Sequence, residues 1–158
     1  MDTSTDHHPL DVSPTCSAAE RRAWAGLARV HAHLSRLLDG RMQAEQGYSA
    51  THYEVVAALA GAGGSLPISQ LAAQVGLSPS RVSRVVDALE ADGLVRRRSC
   101  STDGRVTYAA LEPAGDRWLA RACASYNQQL RQQFLDKLTP EQVEVLGEVW
   151  DALGAVDR

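Results

Sequence analysis

Serine and arginine side chains cluster on one face of a helical pattern that follows Ser78. Ser78 suits an N-cap, Pro79 suits the first helical position because it lacks an amide hydrogen, and Gly93 supplies a stop. One face is an apolar stripe at intervals of three and four residues, made of Val82, Val85, Val86 and Leu89. The opposite face carries Ser80, Arg81, Ser83, Arg84 and Asp87. Hydroxyl and guanidinium groups placed in this way can donate hydrogen bonds to base edges in a major groove, although many solvated helices look similar.

The residues before this helix favour a helix that contacts DNA over an ordinary solvated helix. Residues 68–76 predict a short helix that ends at Gly76, and its small apolar face is Leu71, Ala72 and Val75. Only a few residues separate the two helices, which is the spacing of a helix-turn-helix. The second helix of that motif enters the major groove, so we expect Ser78 and the polar face to contact DNA.

A polar loop between two strand patterns follows the second helix. Residues 94–98 and 106–111 predict the strands, and the loop contains the turn pair Asp103-Gly104. Arg105 at the loop tip can enter a narrow minor groove, where the negative potential is enhanced. We expect Asp103 to fix the aim of a neighbouring arginine. A helix-turn-helix followed by such a hairpin predicts a winged helix.

Three consecutive arginines begin the hairpin. Arg96, Arg97 and Arg98 alternate across it, so they cannot all face one side. We expect Arg96 and Arg98 to contribute to DNA binding. An exposed basic hairpin that only aids solubility is the alternative, but two DNA-reading elements lie side by side in this sequence.

The run from residue 71 to 115 resembles the core of the MarR (multiple antibiotic resistance regulator) family of transcription factors. It reads LAAQVGLSPSRVSRVVDALEADGLVRRRSCSTDGRVTYAALEPAG and combines Leu-Glu-x-x-Gly-Leu-Val-x-Arg, an Asp-x-Arg wing and Leu-x-Pro-x-Gly. The similarity runs from about residue 20 to the C-terminus and is strongest at 68–116. Glu112 and Pro67 depart from the usual capping residues, although both suit a helix start. The resemblance implies a homodimeric regulator that binds palindromic DNA and often responds to a small ligand.

The helices that flank the winged helix predict the rest of the fold, which is mainly α with a small β-hairpin wing. Residues 1–16 are expected to be a disordered tail, and residues 17–158 a single domain. Within it the winged helix spans about 50–111, and the dimerisation helices span about 17–46 and 113–155. A capping box is expected at Ser17, and the run Thr139-Pro140-Glu141-Gln142 is expected to start the last helix.

The predicted helices over residues 17–46 and 113–155 are too long to bury a full apolar stripe against so small a domain. We therefore expect them to pack against a second copy of the chain, through residues that include Leu146, Trp150 and Leu153. The alternative is a monomer that folds these helices back on itself.

Composition and charge limit the classes of function. The net charge is −3, but residues 81–105 hold six arginines and four acids, a local +2 that leaves −5 elsewhere. An acidic body with a basic edge limits non-specific binding to phosphate. No apolar run is long enough to span a membrane and no signal peptide is apparent, so the cytoplasm is expected. The three cysteines form no CxxC pair, and neither a metal nor a cofactor is predicted.

A ligand site is expected from aromatic and imidazole side chains on the first two helices. Trp24, His31, His52 and Tyr53 can line a cleft between these helices and the winged helix, and their chemistry suits a phenolic or other aromatic molecule. Two other sensors remain open. A metal site would draw on His7, His8, His31, His33 and His52, and a redox thiol would be Cys16 or Cys100.

The sequence predicts a regulator that binds double-stranded DNA as a homodimer on an inverted repeat. A winged helix that serves only as a protein-interaction module is the rival, and the basic face argues against it. An enzyme is not expected, because the sequence holds no Gly-rich phosphate loop, HExxH, GxSxG or paired catalytic carboxylates.

Overall fold

The computed structural model describes residues 16–99 and 106–154. The chain forms two compact units, residues 1–33 and 34–158. The helices are α1 (Ala18–Gln46), α2 (Ala50–Gly61), α3 (Ile68–Gln74), α4 (Pro79–Ala91), α5 (Pro113–Gln133) and α6 (Pro140–Ala152), with a 3-10 turn at Leu135–Lys137. The strands are β1 (Ser65–Pro67), β2 (Val95–Ser99) and β3 (Thr107–Leu111).

The described part of the first unit is the N-terminal portion of α1. The predicted capping box is present, since the Ser17 amide donates to Glu20 Oε2 at 2.6 Å and the Glu20 amide donates to Ser17 Oγ at 3.2 Å. The hydrogen bonds from Ser17 hold the pKa of Glu20 below its usual range. Trp24 is 72% exposed, and Leu27 and Val30 are also exposed.

The second unit contains the winged helix and its core. Helix α2 packs against α4 and α5, and α3 packs against α4. Nine side chains at the centre are completely buried or nearly so: Met42, Val55, Val56, Leu59, Leu71, Val82, Val86, Leu89 and Val95. Each such side chain stabilises the fold by roughly 1.5–3 kcal/mol relative to its exposed state. The apolar stripe predicted for the second helix of the motif is therefore confirmed as the buried face of α4.

A three-stranded antiparallel sheet replaces the two-stranded hairpin that the sequence predicts, in the order β1-β3-β2. The missed strand is β1, whose Ser65 pairs with Ala110 and whose Pro67 pairs with Tyr108. Gly63 and Gly64 have φ angles of +81° and +94°, so they turn the chain out of α2 and into the strand. Three residues that end in proline give no alternating pattern, and proline is tolerated on an edge strand, so the sequence carries no strand signal here.

Helix α5 contacts the core through Trp118 and Ala122, which are buried. Leu119, Cys123 and Tyr126, on the adjacent side of the helix, are partly buried and also pack against the core. The start of the helix approaches the backbone closely at Gly115, because a Cβ there would lie 2.3 Å from the Leu94 carbonyl oxygen. The helix is therefore seated on the start of β2 through a glycine, which a pattern of apolar residues cannot reveal.

The close contact at Gly115 leads to a stability prediction. Gly115→Ala should lower the free energy of unfolding by about 1–3 kcal/mol, because its methyl group would overlap backbone. The matched control is Gly40→Ala in α1, where nothing lies within 4 Å and alanine is the better helix former. Thermal and urea unfolding measure both. Equal or greater stability of Gly115→Ala would contradict the close contact between Gly115 and Leu94.

Candidate nucleic-acid interface

Helix α4 begins with the cap that the sequence predicts. Ser78 Oγ accepts a hydrogen bond from the Arg81 amide at 3.3 Å and lies 3.2 Å from Ser80 Oγ, and Pro79 follows as the first helical residue. Ser78 accepts from a free amide at the helix terminus, so it lies at the edge of the polar face rather than at its centre. The exposed groups beyond it are Ser80, Arg81 and Arg84.

The guanidinium group of Arg84 lies on the outer surface of α4. Its Nε lies 3.5 Å from the Ser80 carbonyl oxygen, one turn earlier, and the residue is exposed. The buried valines Val82 and Val86 are on the opposite side, so this face has to point outward. Arginine and serine side chains are thus presented together on one surface of the second helix of the motif, as the sequence predicts.

One flank of α4 contacts β2 through Arg97, which was not among the predicted DNA contacts. Arg97 Nη2 lies 2.9 Å from both the carbonyl oxygen and Oγ of Ser83, and 2.6 Å from Asp87 Oδ1. Its Nε lies 3.5 Å from Glu90 Oε2, and its amide donates to Glu90 Oε1 at 2.8 Å. Ser83, Asp87 and Glu90 are spaced four and three residues apart, so they share one side of the helix.

Arg96 and Arg98 occupy the other face of the sheet from Arg97, as alternation requires. Arg96 Nε lies 3.1 Å from Glu112 Oε1 at the start of α5. Arg98 lines a depression of about 440 Å³ together with Asp116 and the backbone around Gly64. Their contact with DNA stays a prediction, because each also has a place in the packing of the sheet against α5.

The tip of the wing lies outside the described residues. This tip contains Arg105, predicted to enter the minor groove, Asp103, predicted to position a neighbouring arginine, and Cys100, a candidate redox thiol. A groove of about 330 Å³ lies beside the described part of the wing. It is lined by Ile68, Ser69, Pro79, Ser83, Arg97, Val106 and Thr107, so α3, α4 and β3 all border it.

An aromatic cluster connects the end of α4 to the turn between α1 and α2. The Tyr48 hydroxyl donates a hydrogen bond to Asp92 Oδ2, and Asp92 is the C-cap residue of α4. The Tyr48 ring lies 5.3 Å from the Trp118 ring and 5.1 Å from the His52 ring, measured between centroids. Burial, followed by the contact with Asp92, raises the pKa of Tyr48 to about 12, so the phenol keeps its proton at neutral pH.

The four residues of the predicted ligand site have different surroundings. Trp24 and His31 are exposed on α1 in the first unit. In the second unit His52 is partly buried, with Nδ1 2.8 Å from Ser49 Oγ, and burial lowers its pKa despite the nearby Asp39.

Tyr53, the fourth residue, is buried and belongs to the core. Its ring is stacked on Tyr126 at 4.2 Å between centroids. Burial raises the pKa of Tyr53 to about 12. The structure therefore describes each residue of the predicted ligand site, and the site itself stays a prediction.

Helix α6 presents apolar side chains to solvent. The predicted start of this helix is confirmed, and it is a capping box: Thr139 Oγ1 accepts from the Gln142 amide at 3.3 Å, and Gln142 Oε1 accepts from the Thr139 amide at 2.9 Å. None of its residues is buried. Trp150 is 41% exposed and Leu153 is 73% exposed, and the exposed set also includes Val143, Val145 and Val149. Leu146 is partly buried.

Residues 16–99 and 106–154 contain no group of three or more His, Cys, Asp or Glu side chains that could hold a metal ion. Cys16 is exposed and Cys123 is partly buried, and both are free thiols. Within the same ranges no helix is long and apolar enough to cross a membrane.

The helix-turn-helix, the three-stranded sheet and the exposed basic face of α4 together define a winged-helix DNA-binding protein. The MarR family model matches residues 46–106. The chain is 30% identical to Sco3205, a MarR family transcriptional regulator from Streptomyces coelicolor whose structure was solved in complex with DNA. The match covers 91% of each chain with a TM-score of 0.82. The chain therefore belongs to the MarR family of transcriptional regulators.

Two further solved structures share this fold. AbsC, another MarR family regulator from Streptomyces coelicolor, is 26% identical over 90% of this chain and 96% of its own, with a TM-score of 0.80. BpsR from Bordetella bronchiseptica, whose DNA binding is regulated by 6-hydroxynicotinic acid, is 16% identical over 84% and 98%, with a TM-score of 0.75. At that identity BpsR shows the fold alone. No curated protein sequence matches the chain.

The position of Arg84 leads to the first binding prediction. Arg84→Ala should weaken binding to the cognate operator by about 1–3 kcal/mol, as expected for a bidentate contact with a guanine. Fluorescence anisotropy at fixed salt measures the affinity, and thermal melting checks the fold. Arg41→Ala is the matched control, since Arg41 is an exposed arginine of α1 that pairs with Glu45. Unchanged affinity of a folded Arg84→Ala protein would sink the assignment of this face to DNA.

Proposed function

We propose that the protein is a cytoplasmic regulator that binds an inverted-repeat operator as a homodimer. The observation that carries this proposal is the surface of α4, where Ser80, Arg81 and Arg84 are exposed above a completely buried valine stripe. Sco3205, which shares the family, was solved with DNA. The wing arginine Arg105 is proposed to enter the minor groove, and Asp103 is proposed to position a neighbouring arginine.

The second copy is inferred from α6. Val143, Leu146, Trp150 and Leu153 recur at intervals of three and four, so they form one stripe along the helix. Exposed apolar stripes of this kind mark interaction surfaces. The charged residues Glu144, Glu148 and Asp151 lie on the opposite side. A two-fold dimer would place two recognition helices roughly 34–36 Å apart, one turn of DNA, and an inverted repeat has this symmetry.

A binding experiment with the DNA upstream of the protein's own gene tests this function. We expect a specific complex with a salt-dependent affinity and two protein chains per inverted repeat. Scrambling one half-site should abolish the tight complex. Equal affinity for the scrambled and intact sites would contradict a sequence-specific regulator, and binding only to other proteins would favour the interaction-module alternative.

Trp150→Glu tests the dimer surface. A carboxylate in the centre of an apolar contact should shift the protein to monomers at micromolar concentration and weaken operator binding, because each monomer reads one half-site. Sedimentation velocity measures the assembly. Glu148→Ala, on the charged side of the same helix, is the control and should remain dimeric. A wild-type monomer at micromolar concentration would refute the arrangement.

Control by a small aromatic ligand is the second part of the proposal, with Trp24, His31, His52 and Tyr53 as the proposed contacts. The supporting observation lies in the second unit, where His52 touches the Tyr48 ring and Tyr48 donates to Asp92 at the end of α4. A ligand that displaces Tyr48 would therefore act directly on the recognition helix. It would release DNA only to the extent that it prefers the displaced arrangement.

Tyr48→Phe separates ligand binding from its effect on DNA. The variant keeps the ring but loses the hydrogen bond to Asp92. We expect an aromatic acid such as salicylate to weaken operator binding of the wild type by roughly 5- to 150-fold. Tyr48→Phe should still bind the compound by calorimetry but respond less. His31→Ala should bind it more weakly. An equal response in all three proteins would show that the site is misplaced, and a response only to zinc or peroxide would favour a metal or redox sensor.

A further inference from the structure

Arg97 is the arginine of the wing that faces the recognition helix. Its guanidinium group lies against Ser83, Asp87 and Glu90, and the side chain is only 27% exposed. Arg96 and Arg98, its neighbours in sequence, are on the other face of the sheet. Arg97 therefore differs from them in its surroundings, although the sequence places three arginines in a row.

We propose that Arg97 is a positioning residue for DNA recognition: it orients the Ser83 hydroxyl so that this hydroxyl donates a hydrogen bond to DNA. The inference rests on the proposed function of the α4 surface. Arg97 would act on the DNA through the side chain of Ser83.

The direction of the hydrogen bond between Arg97 and Ser83 is fixed by chemistry. A guanidinium group has five N–H donors and no acceptor, so Ser83 Oγ must accept from Arg97 Nη2 at 2.9 Å. A serine inside a helix otherwise tends to turn its hydroxyl back to the preceding turn of backbone. Among the described residues Arg97 is the only hydrogen-bond partner of Ser83 Oγ. The hydroxyl hydrogen is then directed away from Arg97.

The Ser83 hydroxyl hydrogen can point into an open groove. Ser83 and Arg97 line the depression of about 330 Å³ between α3, α4 and β3. The exposed Ser80 and Arg84 lie on the adjacent face of α4. A DNA strand that contacts Arg84 would pass this groove. The partner of Ser83 must be a hydrogen-bond acceptor, either a base atom such as purine N7 or thymine O4, or a phosphate oxygen.

Arg97 also removes an electrostatic obstacle on the same flank. Asp87 is 62% exposed and lies one turn after Ser83, where a free carboxylate would repel phosphate. The contact of 2.6 Å between Arg97 Nη2 and Asp87 Oδ1 pairs that charge. The second carboxylate, Glu90, holds both the amide and Nε of Arg97 and so keeps the guanidinium group in position.

A double-mutant cycle tests whether Arg97 acts through Ser83. Operator affinity is measured by fluorescence anisotropy at fixed salt for wild type, Ser83→Ala, Arg97→Met and the double variant. Each single change should weaken binding roughly tenfold. The double variant should bind as weakly as Arg97→Met, within about twofold. Loss factors that multiply would overturn the proposal, as would an unchanged affinity of Ser83→Ala.

Arg96→Met provides the matched control cycle. The substitution is the same and lies one residue away on the opposite face, so its effect and that of Ser83→Ala should multiply. Non-additivity in this cycle as well would show that any change in the wing couples to Ser83, and would overturn the specific role of Arg97. If the unpaired Asp87 prevents Arg97→Met from folding, both cycles are repeated in an Asp87→Asn background. The proposal again requires losses that do not multiply for Ser83 with Arg97 and losses that multiply for Ser83 with Arg96.

A library of operators with single base changes identifies the acceptor. A base contact predicts that Ser83→Ala and Arg97→Met lose preference at the same position of each half-site. A phosphate contact predicts a uniform loss of affinity at every sequence in both variants. Preference lost at different positions would overturn the proposal. A wild type without any sequence preference would refute the proposed function as well, whereas a specific wild type with multiplying losses refutes only the role of Arg97.

Discussion

Burial of one side of α4 is the constraint on which the DNA-binding surface depends. Val82, Val86 and Leu89 are completely buried, so the helix cannot rotate without exposing them. The opposite face, with Arg84 at its centre, is thereby fixed outward. Gly93, with φ of +70°, ends the helix, and the Leu94 amide donates to the Leu89 carbonyl at 2.9 Å. The chain then enters β2 at once. The same core that orients the recognition helix thus also places the wing beside it.

Charge at this surface is arranged locally rather than over the whole protein. The chain has a net charge of −3, so long-range attraction to DNA is weak and the contacts must supply the binding free energy. Asp87 lies beside the exposed basic face of α4, and it pairs with Arg97 of β2. Because Arg97 already pairs with this carboxylate, the exposed guanidinium groups of α4 are not needed to neutralise it. A protein built in this way gains selectivity, since non-specific binding depends mainly on total positive charge.

The parts of the fold that the sequence predicts are those with a local cause. The Ser78 cap, the stripe from Val82 to Leu89 and the capping box at Ser17 depend on residues within a few positions of one another, and each is present. The missed features depend on distant contacts. Strand β1 exists because β3 pairs with it, and the close approach of α5 to the chain at Leu94 depends on Gly115. Arg97 was missed for the same reason. The alternation of side chains along a strand indicates that Arg97 faces the other way from Arg96 and Arg98. Only the packing of β2 on α4 shows that Arg97 is the one that faces the acidic residues of the helix.

Hydrogen bonds reach helix α4 at three points along its length. Ser78 caps its first turn, Arg97 contacts its flank, and Tyr48 bonds to Asp92 at its end. Arg97 lines the groove beside the helix, so under the proposed function it acts on how the helix meets DNA. Tyr48 belongs instead to the turn between α1 and α2, and its ring lies against Trp118 of α5. A change in that cluster would reach the helix at its end, away from the exposed Ser80 and Arg84. Under the proposed control by a ligand, affinity would then change because the helix moves as a whole, while the groups that it presents stay the same.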